Sequence, residues 1–409
     1  MNISMIKHEF KMMMRTKKNV LFIIALISLI LSYCFLVLPV KETADSFDVE
    51  ERKLDLKNTE VVHQGMAERG ATGFGAFTGT PYADFTYEIQ VVSRMIQAFL
   101  DKDYNRFIQL RMKDSDFNAE SANNDWMLIG QAPYPALDAE RDSSLQNVRY
   151  QGYLDANIPI TYEMIEQKTA LQTVISFIIG TTAFFVIFCA IYFSSDMLSK
   201  DKQHRSLLQG MPIGWYPLIN LKSMVAFFYT LLILLGLLVL AGFIISIQNG
   251  FGSFKLSVPI TIPSTQDVDY FDYRYSEYDS ISIVKFFLLA LGIIPILIYL
   301  FIRINAILSL IFKNPWIALM ISTILLFSER IYYSRTTTEL FGIDISYFPQ
   351  TYFDFGRIIS GEKYYLLHLE SITYGRGIIV LLSTIIIIEI ILFIISRIVN
   401  KRRFYRKTA

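Results

Sequence analysis

Two ionisable residues sit where the surrounding sequence is apolar: Arg303, within 285–328, and Glu389, inside the run STIIIIEIILFII. A charge facing lipid at the bilayer centre costs about 2.5–3.5 kcal/mol on an insertion scale, so partners or a water-filled cavity are expected. Arg303, near the inner end of its run, reads as a long side chain that snorkels to the interface. Glu389 is too deep and too short for that, and must face protein or a pathway. A Glu389–Arg303 pair is the hypothesis that joins these exceptions. Elsewhere the side chains of chemistry are scattered. No G-x-x-x-x-G-K-S/T stretch exists to cradle ATP phosphates, and the Gly70, Gly73, Gly75 and Gly79 cluster lacks the following lysine. His8, His63, His204 and His368 fall on both sides of the expected membrane, so no His-based metal site forms. Asp267, Asp269, Asp272, Glu277 and Asp279 lack the glycine and terminal glutamate of a calcium loop and read as a solvated acidic loop. Cys34 and Cys189 both lie in apolar runs, which excludes a disulfide framework or a cysteine-built site. No nucleophile–base set assembles on one side. Catalysis by this chain, with any cofactor of its own, is not expected.

The elements that hold these residues follow from hydropathy. Of the 409 residues 53% are hydrophobic and 18% charged, a balance that fits a polytopic membrane protein. Net charge is +1, so bulk charge says nothing about partners, though no nucleic-acid partner is expected; its distribution is uneven. Segment 1–19 carries Lys7, Lys11, Arg15, Lys17 and Lys18 against Glu9 alone, and the tail carries Arg397, Lys401, Arg402, Arg403, Arg406 and Lys407. Residues 41–169 hold 13 Lys and Arg against 22 Asp and Glu. Basic residues near span ends stay cytoplasmic, so both termini are expected inside and the long acidic segment outside.

Apolar stretches of bilayer length predict spans at 20–40, 170–194, 223–247, 285–312 and 378–398. A fifth in chain order, 315–328, is short; Lys313-Asn314-Pro315 separates it from 285–312, since proline cannot continue one helix and suits the start of the next. Two cytoplasmic termini need an even number, hence six. The run 20–40 is long for a cleaved leader and has no small-residue cleavage site after it, so it reads as a retained anchor. Residues 1–19 interleave Met5, Ile6, Phe10, Met13 and Met14 with basic residues at helical spacing, a pattern for an interfacial helix on anionic lipid. The fold class expected is therefore all-α polytopic, six transmembrane helices, an interfacial N-terminal helix, and a large mixed or mostly helical outer domain over 41–169, long enough for its own core. Within that domain one helix is expected over 82–112, burying Ile89, Val92, Ile96, Phe99, Leu100, Phe107 and Ile108. Residues 248–284 are expected as a loop, 329–377 as short amphipathic helices in the outer interface, and 399–409 as a cytosolic tail.

One connector is too long for a hairpin. Residues 195–222 contain a basic head, a Gly210-Met211-Pro212 break and an aromatic return through Trp215 and Tyr216. Such a segment can dock on a cytosolic partner.

Several features together resemble the membrane subunits of ABC-2 type ATP-binding-cassette exporters. Lys7-His8-Glu9-Phe10-Lys11, then Arg15-Thr16-Lys17-Lys18, is similar to that family's opening cytosolic helix. In the connector, Ser206-Leu207-Leu208, Pro212 and Lys222 follow the family order, after an acid that is Asp196 or Asp201. Phe348-Pro349 to Gly361 resembles the aromatic short helices before its last span. The large domain after span one departs from the simplest members and lies nearer the sodium-efflux-like and peptide- or antibiotic-export branches. The resemblance implies a homodimer, or a heterodimer with a sister permease, in a bacterial plasma membrane. It implies two separate ATPase subunits that carry ATP and magnesium. The helix from Ser199 to Gln209 would enter a groove on the ATPase: Lys200, Lys202 and Arg205 supply charge, Leu207 and Leu208 the apolar anchor, and the helix bearing Glu9 and Arg15 braces it. The cargo would be an amphipathic peptide, antibiotic, lipid or ion. Two other readings compete: a membrane-anchored peptide sensor or immunity protein, and an ion-coupled carrier that rests on Glu389 alone.

Overall fold

A computed structural model describes residues 3–75, 80–115, 133–200, 214–264, 276–332, 334–335 and 337–405. Lys202, Arg205, Ser206, Leu207, Leu208 and Pro212 lie outside the described residues, as does Asp201. The chain is mostly helical. Among the described residues four helices are long and apolar enough to cross a membrane, or five if one bent pair counts as a single span.

The N-terminal helix α1 (Ile3–Arg15) stops at Thr16, which is extended, and α2 (Lys17–Ser32) runs on as a π-turn to Val37. The domain follows: α3 (Val49–Glu68), α4 (Pro81–Leu100), a helical stretch over 104–115, α5 (Pro133–Asp155) and the single turn α6 (Tyr162–Ile165). The single helix expected over 82–112 is thus two. Lys102 takes a left-handed φ of 57° and ends the first, and Leu100 is exposed rather than buried.

The stretch expected as one span over 170–194 is broken. The helical run Tyr162–Ile179, which ends in α7 (Ala170–Ile179), meets α8 (Ala183–Ser194) at 73°. Gly180 leaves the helix in an extended conformation, and the Thr182 hydroxyl donates to the Phe177 carbonyl at 2.7 Å, which satisfies the frayed end.

Helix α9 (Trp215–Asn249) is 35 residues long and takes in the last third of the expected connector. Residues 248–284, expected as loop, contribute an antiparallel hairpin, β1 (Ser257–Pro263) with β2 (Ser276–Ser282), paired from Ser257↔Ser282 to Pro263↔Ser276. A second small pair, β3 (Glu339–Leu340) and β4 (Ile343–Asp344), also departs from an all-α fold.

Helix α10 (Ile283–Phe312) begins at Ser282, whose side chain accepts from Lys285 N, and ends at the left-handed Lys313. Asn314 then caps α11 (Pro315–Leu326) by accepting from Trp316 N at 2.9 Å, with Pro315 in the first turn. The break expected at 313–315 is where the structure has it. At 12 residues α11 is about 18 Å long, short of the ~30 Å hydrocarbon layer, so it does not cross alone.

Beyond it come α12 (Glu329–Tyr332), two 3-10 turns, α13 (Phe355–Ile359), α14 (Glu362–Leu367), the long α15 (Tyr374–Ile398) and α16 (Lys401–Tyr405). These short helices are not surface amphipaths. Tyr352, Phe353, Phe355 and Leu367 are buried, and Phe353 meets Phe301 of α10 edge-on at 5.0 Å. Their seat demands two glycines. A Cβ on Gly356 would lie 1.8 Å from the Ile178 carbonyl oxygen, and one on Gly361 1.8 Å from that of Thr261.

Among the described residues the domain's core is continuous with that of the bundle. Phe47, Met95, Phe107, Tyr150 and Tyr153 join Ile175, Phe286, Phe301 and Phe355 in one continuous apolar cluster. At its centre is the buried carboxylate of Asp45. It accepts from Arg149 (2.7 Å), Gln146 (2.6 Å), Gln167 (2.7 Å) and the Tyr150 hydroxyl (2.6 Å).

Candidate functional site

Residues 201–213 lie outside the described residues, and the described residues on either side of them are both tied to the N-terminal segment 1–19. Glu9 faces α9 because the apolar positions of α1 pack there: Phe10 meets Tyr229 edge-on at 5.6 Å. That contact buries Glu9 beside Lys222, whose Nζ reaches both carboxylate oxygens at 3.1 Å. On the other side, the turn at Thr16 swings Lys18 toward the end of α8. Its ammonium donates to the Tyr192 carbonyl (2.9 Å) and the Ser195 hydroxyl (2.8 Å), lies 3.4 Å from Asp196, and sits over the Tyr192 ring. Lys200 bonds Asp196 at 2.9 Å and donates to the Thr16 hydroxyl at 2.8 Å. Asp196 is therefore the acid that organises this corner, shared by two lysines. The Asn19 amide donates to the Met13 carbonyl at 3.0 Å and fixes the angle between α1 and α2.

Lys200 and Glu9 are thus held within one brace. Arg15 is exposed and stands apart from it. Sequence reasoning missed Lys18 and Thr16 as contacts; both lie in the quoted motif, but only the fold shows that α8 passes beside them.

Deeper in the bundle the pair of Arg303 and Glu389 is formed. Arg303 is 2% exposed and does not snorkel. Its Nε and Nη2 donate to the two oxygens of Glu389, and its remaining donors reach Ser223 (3.1 Å) and the Asn220 amide oxygen (2.8 Å). Glu389 also accepts from the hydroxyls of Tyr299 (2.7 Å) and Tyr216 (3.2 Å). A forked pair with four of the five guanidinium N–H groups engaged is the arrangement that offsets the burial of Arg303, while the Glu389 side chain stays 26% exposed. Tyr216, Asn220 and Ser223 share one face of α9, and Tyr299 and Arg303 lie one turn apart on α10, so three long helices meet at this knot. The signal for them was present: polar side chains spaced four and three residues apart at the head of an apolar run. A second polar joint escaped sequence reading. Asn305 donates to the Ile191 carbonyl (2.8 Å) and Ser194 (2.7 Å) and accepts from Ser322 (2.6 Å), linking α8, α10 and α11.

Among the described residues no group of His, Cys, Asp and Glu is arranged to hold a metal ion. No family model, curated protein or solved structure matches the chain.

Proposed function

We propose that this chain is the membrane subunit of an ATP-driven exporter of the ABC-2 type, worked by a separate cytosolic ATPase that docks on the connector. The observation that carries this reading is the double tie of segment 1–19 to the connector's two ends: Lys18 and Thr16, at the start of α2, to Asp196 and Lys200, and Glu9 of α1 to Lys222. A solvated loop needs no such brace; a loop that receives force from a partner does. In this reading both termini are cytoplasmic in a bacterial plasma membrane. Six crossings are completed by the bent α7–α8 pair and by α11 together with the short helices that follow it. The chain works as a dimer. The Arg303–Glu389 knot carries connector motion into α10 and α15. It also weakens the carrier reading, because the one carboxylate on which ion coupling would rest is fully engaged. The sensor or immunity reading gives the brace no task.

The test is charge reversal. Glu9→Lys alone, or Lys222→Glu alone, is expected to cut retention of a cassette ATPase during purification at least tenfold, and the double exchange to restore it. Leu207→Asp should abolish retention with the fold intact. Equal retention in all four proteins, with unchanged ATP hydrolysis, overturns the proposal.

A further inference from the structure

A cleft of about 580 Å³ opens between the domain and the broken span, within the volume range of small-ligand sites. Its floor is the last turn of α7 with Ile175, Ser176, Ile179 and Gly180, and its walls are α5, the β1 strand and the start of α10. A helix interrupted at a cavity is where bundle proteins place ligands, since freed backbone is tolerated only beside a cavity or within protein.

The lining divides by chemistry. Leu145, Ile175, Ile179, Val258, Pro259 and Ile283 make an apolar wall. Opposite stand Arg141 and Arg149, each keeping a buried Nε–H that meets no acceptor, and Ser257, whose hydroxyl is likewise unpartnered. The carboxylates that face the cleft are already engaged. Asp45 takes four donors, Asp142 lies 3.2 Å from Arg141, and Glu362 lies 3.5 Å from Arg357. The two arginines are themselves the partners of Asp45 and Asp142, so what remains on offer is three donors without an acceptor, the Nε–H groups of Arg141 and Arg149 and the Ser257 hydroxyl, beside an apolar wall.

We infer that this cleft binds an anionic amphiphile: an acyl or alkyl body against the apolar wall, with a carboxylate or phosphate head taken by Arg141 and Arg149. Guanidinium groups suit such heads because their fork matches the paired oxygens. The inference stands whether the chain exports this ligand or only senses it.

The full chain in phosphatidylcholine nanodiscs is titrated by calorimetry with octyl phosphate, octanoate, octanol and octylamine, with empty discs as the blank. Expected is saturable one-site binding of both anions, at least tenfold tighter than octanol, with octylamine no tighter than octanol. Arg141→Gln should weaken anion binding about tenfold. Ser176→Trp, at an exposed floor position, and Leu145→Trp should each fill the cleft and abolish binding while thermal unfolding matches the parent. Phosphatidylglycerol discs separate the sources: competition assigns a bilayer lipid, its absence a free amphiphile. Uptake equal to empty discs, preference for octylamine, or anion binding that persists in both tryptophan variants overturns the inference. ATPase retention is a separate readout, so failure here leaves the exporter proposal intact.

Discussion

Arg303→Leu is expected to destabilise the folded chain by about 3–5 kcal/mol, because it strands the Glu389 carboxylate among Tyr299 and Tyr216 without its counter-charge. Removing both charges together costs far less, since well-packed apolar side chains replace a buried pair at little or no loss. The double variant Arg303→Leu, Glu389→Leu is therefore expected to recover most of the stability. Denaturant titration of the purified chain reads both. A single variant as stable as the parent, or a double variant as unstable as the single, would show that the knot is not the joint described. On the exporter proposal, stability and function then come apart: the double variant folds but no longer carries connector motion to α15, so ATP-driven transport is expected to fall while ATPase retention stays.

Asp45→Asn should cost a comparable amount, about 3–5 kcal/mol, for the mirror reason: the Arg149 guanidinium keeps its buried place and loses its partner. Burial alone would raise the Asp45 carboxyl, but Arg149 and the hydrogen bonds from Tyr150, Gln146 and Gln167 hold it below the usual carboxylate range. A group depressed in this way adds stability above its unfolded value, about 3.9, and that contribution is lost as pH falls through the lower folded value. The domain of the parent should loosen on strong acidification, and Asp45→Asn should be weak already at neutral pH with a flatter acid limb. Hydrogen exchange over α3 and α4 follows it. Parallel pH profiles for the two proteins would remove Asp45 from its central place.

The long helices were legible because hydropathy over twenty residues is a strong signal and their ends are written locally, as at Lys313-Asn314-Pro315. The Arg303–Glu389 pair was legible for a related reason. Charges in an apolar run must find each other, and only two were deep enough. What failed was whatever depends on contacts distant in sequence. The break at Gly180 looks like ordinary span sequence, since Thr181 and Thr182 are tolerated in any membrane helix; it is α13 packing through Gly356 that makes the bend visible. The hairpin at 257–282 was hidden by acidic and aromatic residues between its strands. The domain looked self-sufficient because its length allows a core, yet its phenylalanines and tyrosines close against the bundle instead. The brace was half readable: Glu9 and Lys222 were both quoted, 213 residues apart, with nothing local to join them.

The length of α9 has a mechanical consequence. It is clasped at Asn220 by the Arg303 knot, with about 8 Å of helix toward Trp215 and about 44 Å toward Asn249. A rigid rod with that fulcrum multiplies movement about sixfold: a shift of about 1 Å at Trp215 sweeps its far tip by about 6 Å. That tip is not free. The Gly250 and Phe251 carbonyls accept from the backbone of Ala170 and Leu171, so the sweep pulls on the first turn of α7, above the bend at Gly180. Nitroxide labels at Ile247 and Phe177, compared with and without the nucleotide-loaded partner, would read that stroke as a distance. A sub-ångström change would mean the rod does not pivot. On the exporter proposal, a small push on the connector is geared into a large one at the first turn of α7, without any helix having to melt.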